Sequence, residues 1–274
     1  MNKLDTAKRS AIIRCLVDGV SIRGTVRITG ASKNTIAKLL VELGSACSDF
    51  LNAKLVNLNS KRIQCDEIWS FVAAKEKNVT PKMAAAKFCG DAWTWVAIDA
   101  DTKLICSWLI GKRDPACAAQ FLQDLAGSLA DRVQLTTDGL KLYLTAIDGA
   151  FGDDIDYAML VKVYGIDPEG EKRYSPAICT SCESHTITGE PDRKHVSTSY
   201  IERSNLTMRM SMRRFTRLTN AFSKKLENHI ATVAIHAMYY NFVRIHQTLR
   251  VTPAMASGIT DRLWDVEDLV GLLD

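Results

Sequence analysis

Apolar positions along the chain switch between helical spacing and strand spacing, and each switch marks a boundary. From Thr6 to Val17, Ile12, Ile13 and Leu16 fall on one side at helical spacing, and Asp18-Gly19 ends the run. Ser21 is placed to cap a second short helix, which Gly30 closes. Ser32 caps a third, where Ile36, Leu39, Leu40 and Leu43 form an apolar stripe. Helix, Gly-containing turn and helix in this order is helix-turn-helix spacing, in which the second helix enters a DNA major groove. Lys33, Asn34, Thr35 and Lys38 then stand near the N-terminal end of that helix, where base edges are met. Residues 45–62 finish the helix and link it to a segment of different character.

From Ile63 the pattern becomes strand-like. IQCDEIWSFVAAK, AWTWVAID and KLICSWLIG are rich in β-branched and aromatic residues, and the last two join as a hairpin at Ala100-Asp101. DPACAAQFLQDLAGSLA reads as an amphipathic helix opened by Asp114-Pro115, VQLTTDG as a short buried strand, LKLYLTAIDGAF as a helix and YAMLVKVYG as a strand. Three antiparallel strands, then helix-strand-helix-strand, is the order of a ribonuclease H-like domain. The expected fold is therefore an α/β ribonuclease H-like core, a mixed five-stranded sheet with helices, preceded by a small all-α helix-turn-helix domain. Residues 1–50 form the helix-turn-helix domain, 51–62 the linker, 63–250 the core and 251–274 a helical tail. An insertion at about 165–196 is polar and shows no regular pattern. Two long helices come after it, about 198–214 and 222–246, and a closing helix begins near Thr252-Pro253. Trp69, Trp93, Trp95 and Trp108 are expected as core aromatics of the sheet.

Composition adds location and partner. At 274 residues, 47% apolar and 24% charged, the chain suits a soluble globular protein. No apolar run reaches membrane-spanning length, and MNKLDTAKRS lacks the apolar stretch of a secretory signal. Eight irregularly spaced cysteines read as reduced thiols, so a cytoplasmic location without membrane contact is expected. The net charge of +4 is unevenly spread. Residues 1–60 hold nine cations against four acids, and 203–225 hold seven cations and no acid. Two basic blocks around an acidic middle suit a protein that grips a polyanion at two places.

Three acids are candidates for chemistry in that middle. Asp66 falls among strand residues that otherwise want burial, where a carboxylate is costly unless a cation meets it. Its neighbour Glu67 should point to the opposite face. Asp138 comes after VQLTT at the carboxyl end of a strand, where open α/β sheets place their ligands. Glu202 opens a helix on which Asn205, Arg209 and Arg213 return to the same side. Carboxylates of this kind hold Mg²⁺ or Mn²⁺, and two ions about 4 Å apart assist phosphodiester chemistry. Asn205, Arg209, Arg213, Arg214, Arg217, Lys224 and Lys225 would lie along the DNA. By spacing alone the three acids also fit a turn cap, a strand-to-helix turn and a first-turn acid offsetting a helix dipole.

CDEIWSFVAAK, LTTDGLKLY and above all TSYIERSNLTMRMSMRRFTRLTNAFSKKLENH resemble the motif blocks of the insertion sequence one family of bacterial DDE transposases. The resemblance runs from about residue 63 to the end, and YYNFVRIHQTLRVTPAMA resembles the tail after the glutamate in several DDE families. It implies that Asp66, Asp138 and Glu202 are the three catalytic, metal-holding carboxylates. It further implies cleavage and joining of a mobile element's ends with Mg²⁺ or Mn²⁺, acting on double-stranded DNA as a homodimer or larger assembly. A ribonuclease H-like nuclease without joining activity and a non-enzymatic helix-turn-helix regulator are the competing readings. Many family members carry a zinc ribbon ahead of the helix-turn-helix, and no cysteine pairs precede it in this sequence. Cys179, Cys182, His185 and His195 are zinc-ligand types, but their spacing is short for a zinc finger, and no stoichiometric zinc is expected.

If residues 21–44 read the element's ends, Asn34→Ala or Thr35→Ala should lower the preference for end sequence over random duplex. The expected loss is about 1–3 kcal/mol of discrimination per base contact. Unchanged preference in competition binding would move recognition to another part of the chain.

Overall fold

A computed structural model describes residues 4–165, 178–216 and 220–274. Helices α1 (Thr6–Val17), α2 (Ile22–Thr29) and α3 (Lys33–Lys54) each start at a side chain suited to accept from the first turn. Asp5 accepts from Lys8 N, Ser21 from Gly24 N and Ser32 from Thr35 N. Gly30 closes α2 in the left-handed region at φ 70°.

The sheet is built from β1 (Arg62–Val72), β2 (Gly90–Asp99), β3 (Ile105–Gly111), β4 (Gln134–Thr137), β5 (Asp156–Gly165) and β6 (Ile178–Thr188). Their order is β3-β2-β1-β4-β5-β6. Strands β1, β2 and β3 pair antiparallel, β4 joins β1 and β5 in parallel, and β6 returns antiparallel along β5. The sheet is thus six-stranded rather than five-stranded, and the sixth strand lies within the polar stretch expected to lack regular structure. Residues 179–187 of β6 are all exposed, so no buried face imposes an apolar alternation. Backbone pairing with β5 alone defines that strand.

Helices α5 (Pro115–Ser128) and α6 (Leu142–Phe151) cover one face, where Trp95 of β2 packs on Phe121 and Tyr143. Asp114 caps α5 through Cys117 N, with Pro115 in the first turn. The opposite face carries α7 (Ser199–Ser211) and α8 (Leu226–Met238). The buried His229 of α8 sits between the hydroxyls of Ser70 and Ser223, at 3.0 and 2.9 Å. Both helices are shorter than their sequence pattern suggests. Met212 is extended (φ -115°, ψ 108°) and ends α7, and α8 passes into a π turn at Tyr239–Val243. Short α4 (Pro81–Ala86), capped by Thr80, lies between β1 and β2, where no element is expected. The chain ends in α9 (Pro253–Ala256) and α10 (Val266–Gly271). Trp95 is fully buried, whereas Trp69, Trp93 and Trp108 are only half-buried.

One apolar cluster runs from Ile12 of α1 to Val270 of α10. Ion pairs Arg9–Asp274 (3.1 Å) and Arg14–Glu267 (2.7 Å) tie α1 to the C-terminal end. α3 lies against α8 at Gly44, where a Cβ would come within 2.4 Å of Ala231 Cα and Cβ. Gly44→Ala should therefore lower stability by about 1–3 kcal/mol through overpacking. Gly127→Ala, in α5 with open space around it, should raise it by about 0.4–1 kcal/mol. Thermal melting of the two variants checks both, and a wild-type melting temperature for Gly44→Ala would refute the close approach.

Candidate active site

β4 is only four residues long, and its pairing with β1 ends at Cys65↔Thr137. The next residues along the two strands are Asp66 and Asp138, so two carboxylates stand side by side where the parallel ladder stops. Asp138 accepts from Leu140 N at 3.0 Å, turning the chain toward α6. Asp66 accepts from Glu67 N and from the Asn205 side-chain amide of α7, both at 2.8 Å.

Glu67 bonds on the far face, as strand alternation requires. It accepts from the Tyr143 hydroxyl at 3.1 Å and pairs with Arg113 at 2.5 Å, its side chain 2% exposed. Its carboxylate nevertheless reaches the ladder end. Ligand atoms of Asp66, Glu67 and Asp138 all lie within 4.8 Å of one another. Burial first, then the charges of Glu67 and Asp138, push the Asp66 carboxyl up to about 7. Burial and Asp138 also raise Glu67, against the pull of Arg113 and Tyr143.

Glu202 enters from the first turn of α7. Gln64 of β1 fixes that turn by accepting from Tyr200 N and Ile201 N, at 2.9 and 3.0 Å. The Glu202 carboxylate accepts from Thr198 Oγ1 at 2.6 Å and pairs with Lys162 of β5. Asp66, Asp138 and Glu202 line one cleft of about 780 Å³, shared with Arg113, Lys141 and Lys162. The donors are carboxylate oxygens, and their crowding adds to burial in raising Asp66 and Glu67, which suits a hard divalent cation. Asp66, Glu67 and Asp138 bring ligand atoms close enough to hold such an ion, whereas Glu202 lines the same cleft paired with Lys162.

The residues expected along DNA are placed unevenly. Asn205 is buried and donates its side-chain amide to Asp66, so it positions a carboxylate. Arg209 is half-buried on α7. Arg213 is exposed, but α7 ends at Ser211, so helical spacing does not align it with Glu202. Arg214 does not lie along an open path. It donates to Ser223 Oγ at 2.9 Å, and burial draws it down to about 10. Arg217 lies outside the described residues. Lys224 is exposed over the Phe222 ring at 3.7 Å, and Lys225 pairs with Glu227 at 3.0 Å, just beyond the acid-free run. At the start of α3, Lys33, Asn34 and Lys38 are exposed and Thr35 is half-buried, with Lys38 3.6 Å from Glu42.

The register shift beside Tyr164 brings the Cys179 and Cys182 thiols to 3.7 Å. His185 pairs with Glu183 at 3.6 Å, and His195 lies by Arg62 and Asp192 on a separate turn. Among the described residues these four form no shared ligand group. Sequence reasoning set Glu67 aside on alternation and missed Arg113 and Lys162, whose partners are distant along the chain.

No family model matches the chain, and no curated protein sequence matches it. Among solved structures it is similar to the chain in the cryo-EM structure of a piggyBac transposase synaptic complex with hairpin DNA. That match covers 98% of this chain and 69% of the other, at 9% identity and a TM-score of 0.39.

The Asp66 environment generates a pH prediction. Folded Asp66 keeps its proton to about 7, whereas the unfolded chain releases it near the ordinary 3.8. The folded state binds more protons between those values, so stability falls as pH rises through the window and the cost is complete above it. Metal-free Asp66→Asn should therefore melt above wild type at pH 8, with the gap shrinking toward pH 4. A pH-independent gap would show that Asp66 does not titrate there.

Proposed function

We propose that this chain is a DDE-type DNA transposase with a ribonuclease H-like core, cutting and joining the ends of its own mobile element. The observation that carries this reading is the meeting of Asp66, Asp138 and Glu202 in one cleft, from β1, the end of β4 and α7. In this reading those three residues hold Mg²⁺ or Mn²⁺, with two ions per site. Bound divalent metal supplies charge neutralisation at the phosphodiester and a more acidic attacking hydroxyl.

The chain's own residues prepare the cleft. Asn205 and Glu67 N orient Asp66, Leu140 N orients Asp138, and Thr198 orients Glu202. Gln64 holds the α7 terminus against β1, so the acids are fixed before substrate arrives. Exposed Lys33, Asn34 and Lys38 on α3 are the candidates for reading duplex ends, and exposed Arg213 and Lys224 for gripping phosphates. Joining two ends calls for a homodimer or larger assembly.

Asp66→Asn, Asp138→Asn and Glu202→Gln should each reduce cleavage and strand transfer to background in Mg²⁺ while leaving duplex binding nearly unchanged. The assay uses DNA carrying the repeats that flank the gene. A variant that keeps near wild-type strand transfer is not altered at a metal ligand, and wild-type cleavage without joining would make the protein a nuclease.

A further inference from the structure

Arg113 lies in the loop between β3 and α5, and that loop is fixed on both sides. A Cβ on Gly111 would come 2.5 Å from Cys117 Sγ, so the turn there is close-packed. The Lys112 carbonyl accepts from the Trp95 indole at 3.2 Å, and Asp114 accepts from Cys117 N at 2.9 Å. The side chain is held as firmly. Its guanidinium is 2.5 Å from Glu67 and stacks over Trp93 at 4.7 Å from the ring centroid. It still stands 38% exposed and lines the cleft beside Asp66 and Asp138.

We propose that Arg113 is a phosphate-binding residue, gripping a DNA backbone phosphate next to the cleft acids. This rests on the transposase reading. Glu67 occupies one edge of a guanidinium that carries five N–H donors, leaving donors for an anion in the cleft. The planar fork suits phosphate oxygens, and prior anchoring by Glu67 and Trp93 reduces the ordering cost of the contact. The cleft has need of such a cation. Asp66, Glu67, Asp138 and Glu202 repel a DNA strand; of the other cations lining the cleft, Lys162 is engaged by Glu202 and the exposed Lys141 offers a point charge without a planar fork. A residue serving only to neutralise Glu67 has no need to open onto the cleft.

Removing Arg113 alone strands a buried carboxylate and endangers folding. The test therefore compares Glu67→Gln with the Glu67→Gln, Arg113→Gln double variant, in full-length protein. Binding to element-end and random duplexes is titrated with salt in Ca²⁺, alongside thermal melting. The double variant should bind both duplexes more weakly, with a slope of log binding against log salt shallower by about 0.9. Its melting temperature should match that of Glu67→Gln. Equal slopes would overturn the proposal and leave Arg113 as the counter-ion of Glu67, as would a lower melting temperature with unchanged binding. Wild type that binds no duplex would instead overturn the transposase reading, and this inference with it. Arg113→Lys, which keeps the charge and loses the fork, should preserve the slope at lower affinity.

Discussion

The parallel pairing of β1 with β4 stops after four residues, and that stop determines where charge must gather. Had β4 continued beside β1, Asp138 would occupy a ladder position instead of beginning the turn into α6. Where it stops, Asp66, Glu67 and Asp138 crowd together, with ligand atoms within 4.8 Å of one another. Burial first, and then the like charges of Glu67 and Asp138, make Asp66 hold its proton far above the ordinary range. Asn205 of α7 meets Asp66 and Arg113 of the β3–α5 loop meets Glu67, while Lys162 of β5 meets Glu202 at the same cleft.

The remainder of the fold keeps those partners in register. α7 hangs on β1 through Gln64, and α8 through the Ser70–His229 contact, so one strand sets the height of both helices. Burial, reinforced by Arg214, lowers His229 to about 3 and keeps it neutral between its two serines. α3 braces α8 from outside at the Gly44–Ala231 approach. A single apolar cluster thus connects the first helix to the cleft.

Much of this was legible in the sequence. Caps at Ser21, Ser32 and Asp114 and the hydrophobic periods located the first three helices, five strands and α5, because each has a buried face. The polar edge strand β6 has none, so periodicity could not reveal it. Glu202 was readable as a first-turn acid. The extended Met212 was not readable, and with it failed the alignment of Arg213. Arg113 and Lys162 escaped notice because nothing local distinguishes a cation that meets its carboxylate through tertiary contact. Glu67 was set aside by strand alternation, which describes side-chain direction correctly but neglects the reach of a glutamate at a ladder end.

The location of a bound divalent cation tests the central claim most directly. Fe²⁺ substituted for Mg²⁺, with ascorbate and peroxide, generates radicals that cut the backbone near the ion, and mass spectrometry locates the cuts. A metal held between Asp66, Asp138 and Glu202 predicts cuts around residues 66–67, 138–140 and 198–202, suppressed by excess Mg²⁺. Cuts confined to other segments, such as the Cys179–Cys182 strand, or insensitive to Mg²⁺, would contradict it.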